Sequence, residues 1–167
     1  DIGCGIPKFT YGLTFTANYK NFDLLVFASG ALGQKTYMWY DYTAYNYNKL
    51  KYYTDDRWTP SNTGASRPRP LVGTLASTYN KSSAYVFKGD FFKIQQIQLG
   101  YSIPKKALNK IGFDRARVYC SLEDFFLFTN YPGYSPEAAS DSVIGAGIDF
   151  GAYPTSKKLV FGLNVEF

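Results

Sequence analysis

The sequence predicts an all-β chain of antiparallel strands running up and down. Three observations carry that reading. Several stretches of about ten residues alternate apolar with small or polar side chains, which is the period of a strand and not of a helix. The connections between them alternate short and long. Only residues 104–110 read as helical, and no run approaches the 18 or so apolar residues that a membrane helix requires.

In residues 8–20, Phe9, Tyr11, Leu13, Phe15, Ala17 and Tyr19 share one face, while Thr10, Gly12, Thr14, Thr16 and Asn18 share the other. A tight reversal follows at Tyr19-Lys20-Asn21-Phe22, where Asn21 suits turn geometry. The next strand, residues 22–33, places Phe22, Leu24, Val26 and Ala28 on one face. Its other face mixes Asp23 and Ser29 with Leu25 and Phe27, so the alternation is blurred. Residues 34–88 form a long polar and aromatic connection; segments of more than about 15 residues without structure are uncommon unless functional or disordered. Disorder is aromatic-poor, and this stretch is not.

Residues 90–103 return to strand. Phe92 and Ile94 share a face with Ile97, Leu99, Tyr101 and Ile103 only if a bulge falls at Gln95-Gln96. Pro104 then opens a short helical turn through Lys110, closed by Gly112. Residues 115–129 make a fourth strand, with Ala116, Val118, Cys120 and Leu122 outward and Arg117, Tyr119, Ser121 and Glu123 inward. A second long connection, residues 130–156, is rich in Gly, Pro and Ser. The fifth strand ends the sequence, with Leu159, Phe161, Leu163, Val165 and Phe167 alternating against Gly162, Asn164 and Glu166.

This order puts both short turns at one end of a sheet and both long loops at the other, the asymmetry of outer-membrane barrels. Ten residues at about 3.3 Å each, tilted by about 40°, rise roughly 25 Å, the height of a lipid-facing band. Five strands close no barrel, since the smallest bacterial ones have about eight. Open edges in lipid leave unpaired main-chain groups at a cost of several kcal/mol each. The expected fold is therefore an antiparallel, up-and-down transmembrane β-barrel segment of about five strands with two long outer loops, paired at both edges with strands from elsewhere. Asp1-Ile2-Gly3-Cys4-Gly5 lacks a basic leader and an apolar core, so the sequence is expected to be mature or to begin inside a longer protein.

Composition narrows the chemistry. Among 167 residues are 16 Tyr, 14 Phe and 2 Trp, and no His. Without His, Ser-His-Asp and Cys-His catalysis and most zinc sites fall away. A net charge of +5 is spread along the chain rather than gathered on one basic face, which disfavours nucleic acid as a partner. Cys4 and Cys120 are expected to be free, one in a Gly-rich entry and one mid-strand. Asp55, Asp56, Asp141 and Asp149 lack the loop spacing of a hard-cation site, so no metal is assigned.

Several stretches recur together in one family. Pro7-Lys8-Phe9-Thr10-Tyr11-Gly12-Leu13, Asp56-Arg57-Trp58-Thr59-Pro60-Ser61-Asn62, Ile97-Gln98-Leu99-Gly100-Tyr101-Ser102-Ile103-Pro104, the run from Phe128 to Glu137, Gly147 to Pro154, and Phe161-Gly162-Leu163-Asn164 follow in that order. Together they resemble the C-terminal barrel segment of SusC/RagA-type TonB-dependent outer-membrane transporters of Bacteroidetes. The resemblance implies that residues 1–167 are the final strands of a 22-stranded barrel, with the plug and remaining strands outside this chain. It implies import of oligosaccharides or peptides, with no enzymatic step and no cofactor. Its implied partners are the remainder of the barrel, a SusD-like lipoprotein lid, the TonB complex, and surrounding lipid and lipopolysaccharide. The implied localisation is the cell outer membrane. The sequence departs from the family where Leu122-Glu123-Asp124 replaces Gly-Gln-Asn.

The candidate substrate- or lid-contacting loop residues are Tyr37, Trp39, Tyr40, Tyr42, Tyr45, Tyr47, Arg57, Trp58, Tyr131 and Tyr134. Aromatic rings offer large contact area with a polar handle; the plainer reading of the same cluster is a membrane-interface girdle plus loop self-packing. Arg57, Arg67 and Arg69 suit an anionic ligand, or the satisfaction of loop carbonyls and carboxylates. Tyr131-Pro132-Gly133-Tyr134 reads as a turn. Phe167 is the candidate barrel-assembly residue. A soluble all-β carbohydrate-binding module and a siderophore-type TonB-dependent receptor stand as alternatives. In a soluble module, Phe9, Leu13, Phe15, Val118, Leu159, Phe161 and Leu163 would be buried under a second sheet.

Overall fold

The computed structural model describes residues 2–39, 50–69, 82–109, 112–137 and 145–167. Five long strands follow one another as neighbours: β1 (Phe9–Tyr19), β2 (Phe22–Leu32), β5 (Phe91–Ser102), β6 (Arg115–Thr129) and β8 (Lys158–Glu166). The sheet order β1-β2-β5-β6-β8 is an up-and-down meander. Short strands β3 (Lys35–Met38), β4 (Val86–Lys88) and β7 (Ile148–Asp149) form a second sheet in the order β4-β3-β7. The helical elements are α1 (Lys51–Asp55), a 3-10 turn at Ser83–Tyr85 and α2 (Lys105–Leu108).

The chain divides into two compact units. The sheet unit comprises Thr10–Ala31, Phe91–Phe128 and Thr155–Phe167. Its outward face is the apolar set of the sequence pattern. In register across β6 and β8, Val118 faces Leu163, Cys120 faces Phe161 and Leu122 faces Leu159. Across β2 and β5, Leu24 faces Leu99 and Val26 faces Ile97. Among the described residues nothing covers this face: Phe161 is 74% exposed, Leu163 63% and Leu13 61%. A soluble sandwich hides such a face between its sheets, so the binding-module alternative fails its own criterion.

The register between β2 and β5 slips where Phe27 faces Gln96 and Ala28 faces Ile94. Gln95 is the extra residue, and the bulge restores Ile94 to the apolar face as the spacing requires. On the blurred face of β2, the Phe27 ring lies beside Gly12 of β1, at an ordinary contact distance of 4.0 Å from where a Cβ there would stand. The β1–β2 reversal falls where expected, but Lys20, at φ +54, and not Asn21 takes the left-handed backbone. Aromatic rings gather at both ends of the strands. Phe22 meets Tyr101 at 4.7 Å and Phe113 meets Phe167 at 5.1 Å near the short turns. Near the opposite end, Phe92 stacks between Tyr11 and Phe128, with centroids 6.3 and 6.1 Å away. These two bands have the placement of a barrel's aromatic girdles.

The loop unit comprises Asp1–Phe9, Leu32–Asp90 and Thr129–Pro154. The two long connections are thus not structureless. β3 lies at the centre, antiparallel to β4 and parallel to β7. The amide of Lys35 donates to the Cys4 carbonyl at 2.8 Å, and that of Tyr37 to the Gly147 carbonyl at 2.7 Å. Gly147, at φ +82, passes so close to Gly5 that a Cβ on either would strike backbone. Gln34, buried, donates through Nε2 to the carbonyls of Gly89 (2.5 Å) and Pro136 (3.4 Å), tying three segments together. Cys4 and Cys120 are both free thiols.

Candidate substrate-facing site

Two surfaces place the functional candidates, one in each unit. In the sheet unit it is the polar face. Arg117 donates to Asp23 through Nε at 2.9 Å and Nη2 at 2.5 Å, a bidentate pair reaching from β6 to β2 across β5. It passes over Gly100, where an added Cβ would collide with both partners. The guanidinium lies 5.1 Å from the Tyr119 ring centroid, and that ring covers Gly162 of β8, again filling the place of a Cβ. Two residues without side chains thus let one polar strap cross four strands. Beside Leu25 and Phe27, amides and hydroxyls pair on this face: Gln95 donates to Ser29 Oγ at 2.9 Å and Gln96 to Ser121 Oγ at 3.3 Å. Charge pairs cross strands on this face, Asp23 with Arg117 and Lys93 with Asp124.

In the loop unit, Trp39 sits between two rings, 6.0 Å from Tyr37 in an edge arrangement and 6.2 Å from Phe150. β3 orients Tyr37, and the amide of Trp39, the residue just after the strand, donates to the Asp149 carbonyl at 2.9 Å. Trp39 is 39% exposed and Phe150 57%, so the corner opens outward. Phe150 was not singled out by sequence because it follows a two-residue strand that no periodicity reveals. Tyr153, fully exposed, escaped for the same reason. Such a corner suits stacking on a flat apolar face, whether a sugar ring or a side chain.

Arg57 and Trp58 lie on a compact turn. The Trp58 amide donates to the Arg67 carbonyl at 2.9 Å, and Thr59 and Asn62 exchange main-chain bonds around Pro60. Arg67 is committed to the fold: its Nη1 donates to the Ala84 carbonyl at 2.7 Å, and its guanidinium lies 5.1 Å from the Phe87 centroid. Of the two readings for these arginines, carbonyl satisfaction holds for Arg67. A cleft of about 580 Å³ opens among Trp58, Ser66, Arg67, Arg69, Ser82 and Ala84. Asp56 accepts from the Ser66 hydroxyl at 2.5 Å and its amide at 3.0 Å. Those bonds, the hydroxyl first and Asn62 and Arg67 assisting, hold the Asp56 carboxyl below the usual carboxylate range.

Tyr131 is placed differently from the expectation. It is 5% exposed, donates its hydroxyl to Asp149 Oδ2 at 2.6 Å, and meets Phe87 edge-on at 6.1 Å. Its ring holds the loop unit together and offers no free surface. Asp149, fully buried, also accepts from the Gly151 amide at 2.8 Å. Tyr134 is exposed, at the bend after Pro132. Tyr40, Tyr42, Tyr45 and Tyr47 lie outside the described residues. Phe167 is exposed apart from its contact with Phe113. Among the described residues no group of three or more acidic or Cys side chains has the arrangement of a metal site.

An uncovered apolar face, a polar face with paired charges and two aromatic bands together define a piece of transmembrane β-barrel wall. No family model matches the chain. It is 32% identical, over 99% of its length, to TonB-dependent receptor P3 of Formosa agariphila, of which it spans 17%. It is 28% identical, over 93% of its length, to TonB-dependent receptor SusC of Bacteroides thetaiotaomicron, spanning 15% of that protein. In fold, 97% of the chain superposes on 17% of a chain of the RagAB peptide importer in its open-open state, with a TM-score of 0.72 and 22% identity. The resemblance to SusC/RagA-type TonB-dependent receptors thus holds over nearly the whole chain, in sequence and in fold.

Proposed function

We propose that residues 1–167 are part of the barrel wall and outer loops of an outer-membrane nutrient importer of the SusC/RagA type. The observation that carries this reading is an antiparallel meander whose apolar face is open along its length, in a chain similar throughout to TonB-dependent receptors. The barrel is of the 22-stranded kind and this segment is its C-terminal part. Cargo is a glycan or a peptide, the lid is a SusD-like lipoprotein, and energy arrives through TonB from outside this segment. The chain has no catalytic role: its contribution is a polar wall and a set of rings.

Within that reading, the corner of Tyr37, Trp39 and Phe150 is the contact surface, joined by Arg57, Trp58 and Tyr134. The exposed Phe150 ring and the half-buried Tyr37 ring bracket the Trp39 indole, and such a set suits ring stacking, worth about 1–3 kcal/mol per well-packed aromatic at an interface. The test uses the full-length protein with its lipoprotein, purified from outer membranes, with co-purifying cargo identified by mass spectrometry. Trp39→Ala and Phe150→Ala each lower cargo occupancy about tenfold, and Tyr131→Phe changes cargo only by loosening the loops. Unchanged occupancy in both ring variants contradicts the assignment.

A further inference from the structure

The second long connection returns to the sheet through residues 151–157, a limb with neither strand nor helix. Among the described residues no main-chain to main-chain hydrogen bond holds residues 152–157. Two side-chain contacts do. Lys93 Nζ donates to Thr155 Oγ1 at 3.1 Å, and Lys157 Nζ lies 5.8 Å from the Phe125 ring centroid.

Lys93 is an unusual anchor. It pairs in register with Ser29, and its side chain is only 4% exposed. An ammonium so enclosed requires a compensating anion and filled donor positions. Asp124 provides the anion at 2.8 Å. To do so it adopts φ +59 in the middle of β6, a left-handed backbone that a residue with a Cβ rarely takes and that Asp tolerates better than most. The left-handed backbone thus falls on the residue whose carboxylate meets the buried lysine. Thr155, arriving from 62 positions away in sequence, then accepts another of the three ammonium donors.

We propose that Lys93 is a positioning residue: charged and held by Asp124, it captures the Thr155 hydroxyl and fixes where the second outer connection enters the sheet. The fully exposed Tyr153 is two residues ahead of that anchor, so the clamp sets the footing of the segment that displays it. The assignment rests on the import reading only in giving that segment a role at the outer end; the clamp itself is geometry within the sheet unit.

The test is trypsin cleavage after Lys157 in the full-length, detergent-solubilised protein, with cleavage after Lys20 in the β1–β2 turn as the internal reference. Cleavage reports the population of the opened limb when reclosing is fast. Thr155→Val removes the acceptor and leaves the Lys93–Asp124 pair intact; cleavage after Lys157 rises about tenfold, the loss of one charge-assisted hydrogen bond, and cleavage after Lys20 stays as it was. Thr155→Ser, which keeps the hydroxyl, behaves as the unmodified protein. The proposal is overturned if Thr155→Val leaves the Lys157 site unchanged, if both sites rise together, or if Thr155→Ser opens the limb as far as Thr155→Val. None of these readouts depends on what the importer carries, so failure of the clamp and failure of the import reading are told apart.

Discussion

Asp56 shows how much a single loop carboxylate can organise. It draws both donors of Ser66, ten residues on, and its main-chain carbonyl accepts from Arg67. Because the folded turn holds this carboxyl below its ordinary value, its contribution is fully present above that ordinary value. It is lost as the pH falls through the lowered one. Protection of the Ser66 amide against hydrogen exchange is therefore expected to persist from neutral pH into the acid range and then to collapse. In Asp56→Asn it is expected to be weaker and flat with pH; a wild-type profile that is equally flat contradicts the linkage. None of this pairing was visible in sequence, where Asp56 was one of two adjacent acids in a loop. Tyr131 gives the reverse case. As a loop aromatic it was a candidate for contact, and a hydroxyl bonded to buried Asp149 draws it inside.

At the scale of elements, all five long strands were legible, because period-two alternation survives wherever one face meets an apolar surroundings and the other does not. The bulge at Gln95 was legible for the same reason: without it Ile94 would turn to the wrong face. The small β4-β3-β7 sheet was not, since strands of two to four residues carry no period and are selected by long-range pairing. The polar strap was equally hidden, as its two glycines read as ordinary small strand residues until Arg117 and Tyr119 are seen lying over them. Gly100→Ala is expected to displace the Asp23–Arg117 pair at a cost of about 1–2 kcal/mol, the pair being partly exposed. In an Arg117→Met background the same substitution costs much less, measured as the coupling in a double-mutant cycle by urea unfolding in lipid vesicles. An equal cost in both backgrounds places the strain in the backbone and not in the strap.

At the scale of the molecule, the sheet unit poses a question that its own atoms answer only with neighbours. β1 and β8 are the two edges of an open meander, and apolar side chains stand exposed across the outward face. In water that combination is an aggregation hazard. In lipid it is the ordinary wall of a barrel, provided the edges are paired. The chain spans about a sixth of the length of the relatives it matches, which leaves ample chain in such proteins to supply the missing strands. The barrel's outline was readable because lipid imposes a simple alternation on every strand. The arrangement of the loop aromatics was not, because they belong to loops whose positions depend on pairing across distant sequence. The most direct measurement is the migration of the outer-membrane protein containing this chain, extracted without boiling and compared with the same sample boiled. The account predicts that the chain runs within one compact, heat-modifiable barrel much larger than 167 residues. A folded monomer of this chain alone, stable in solution without detergent, would contradict it.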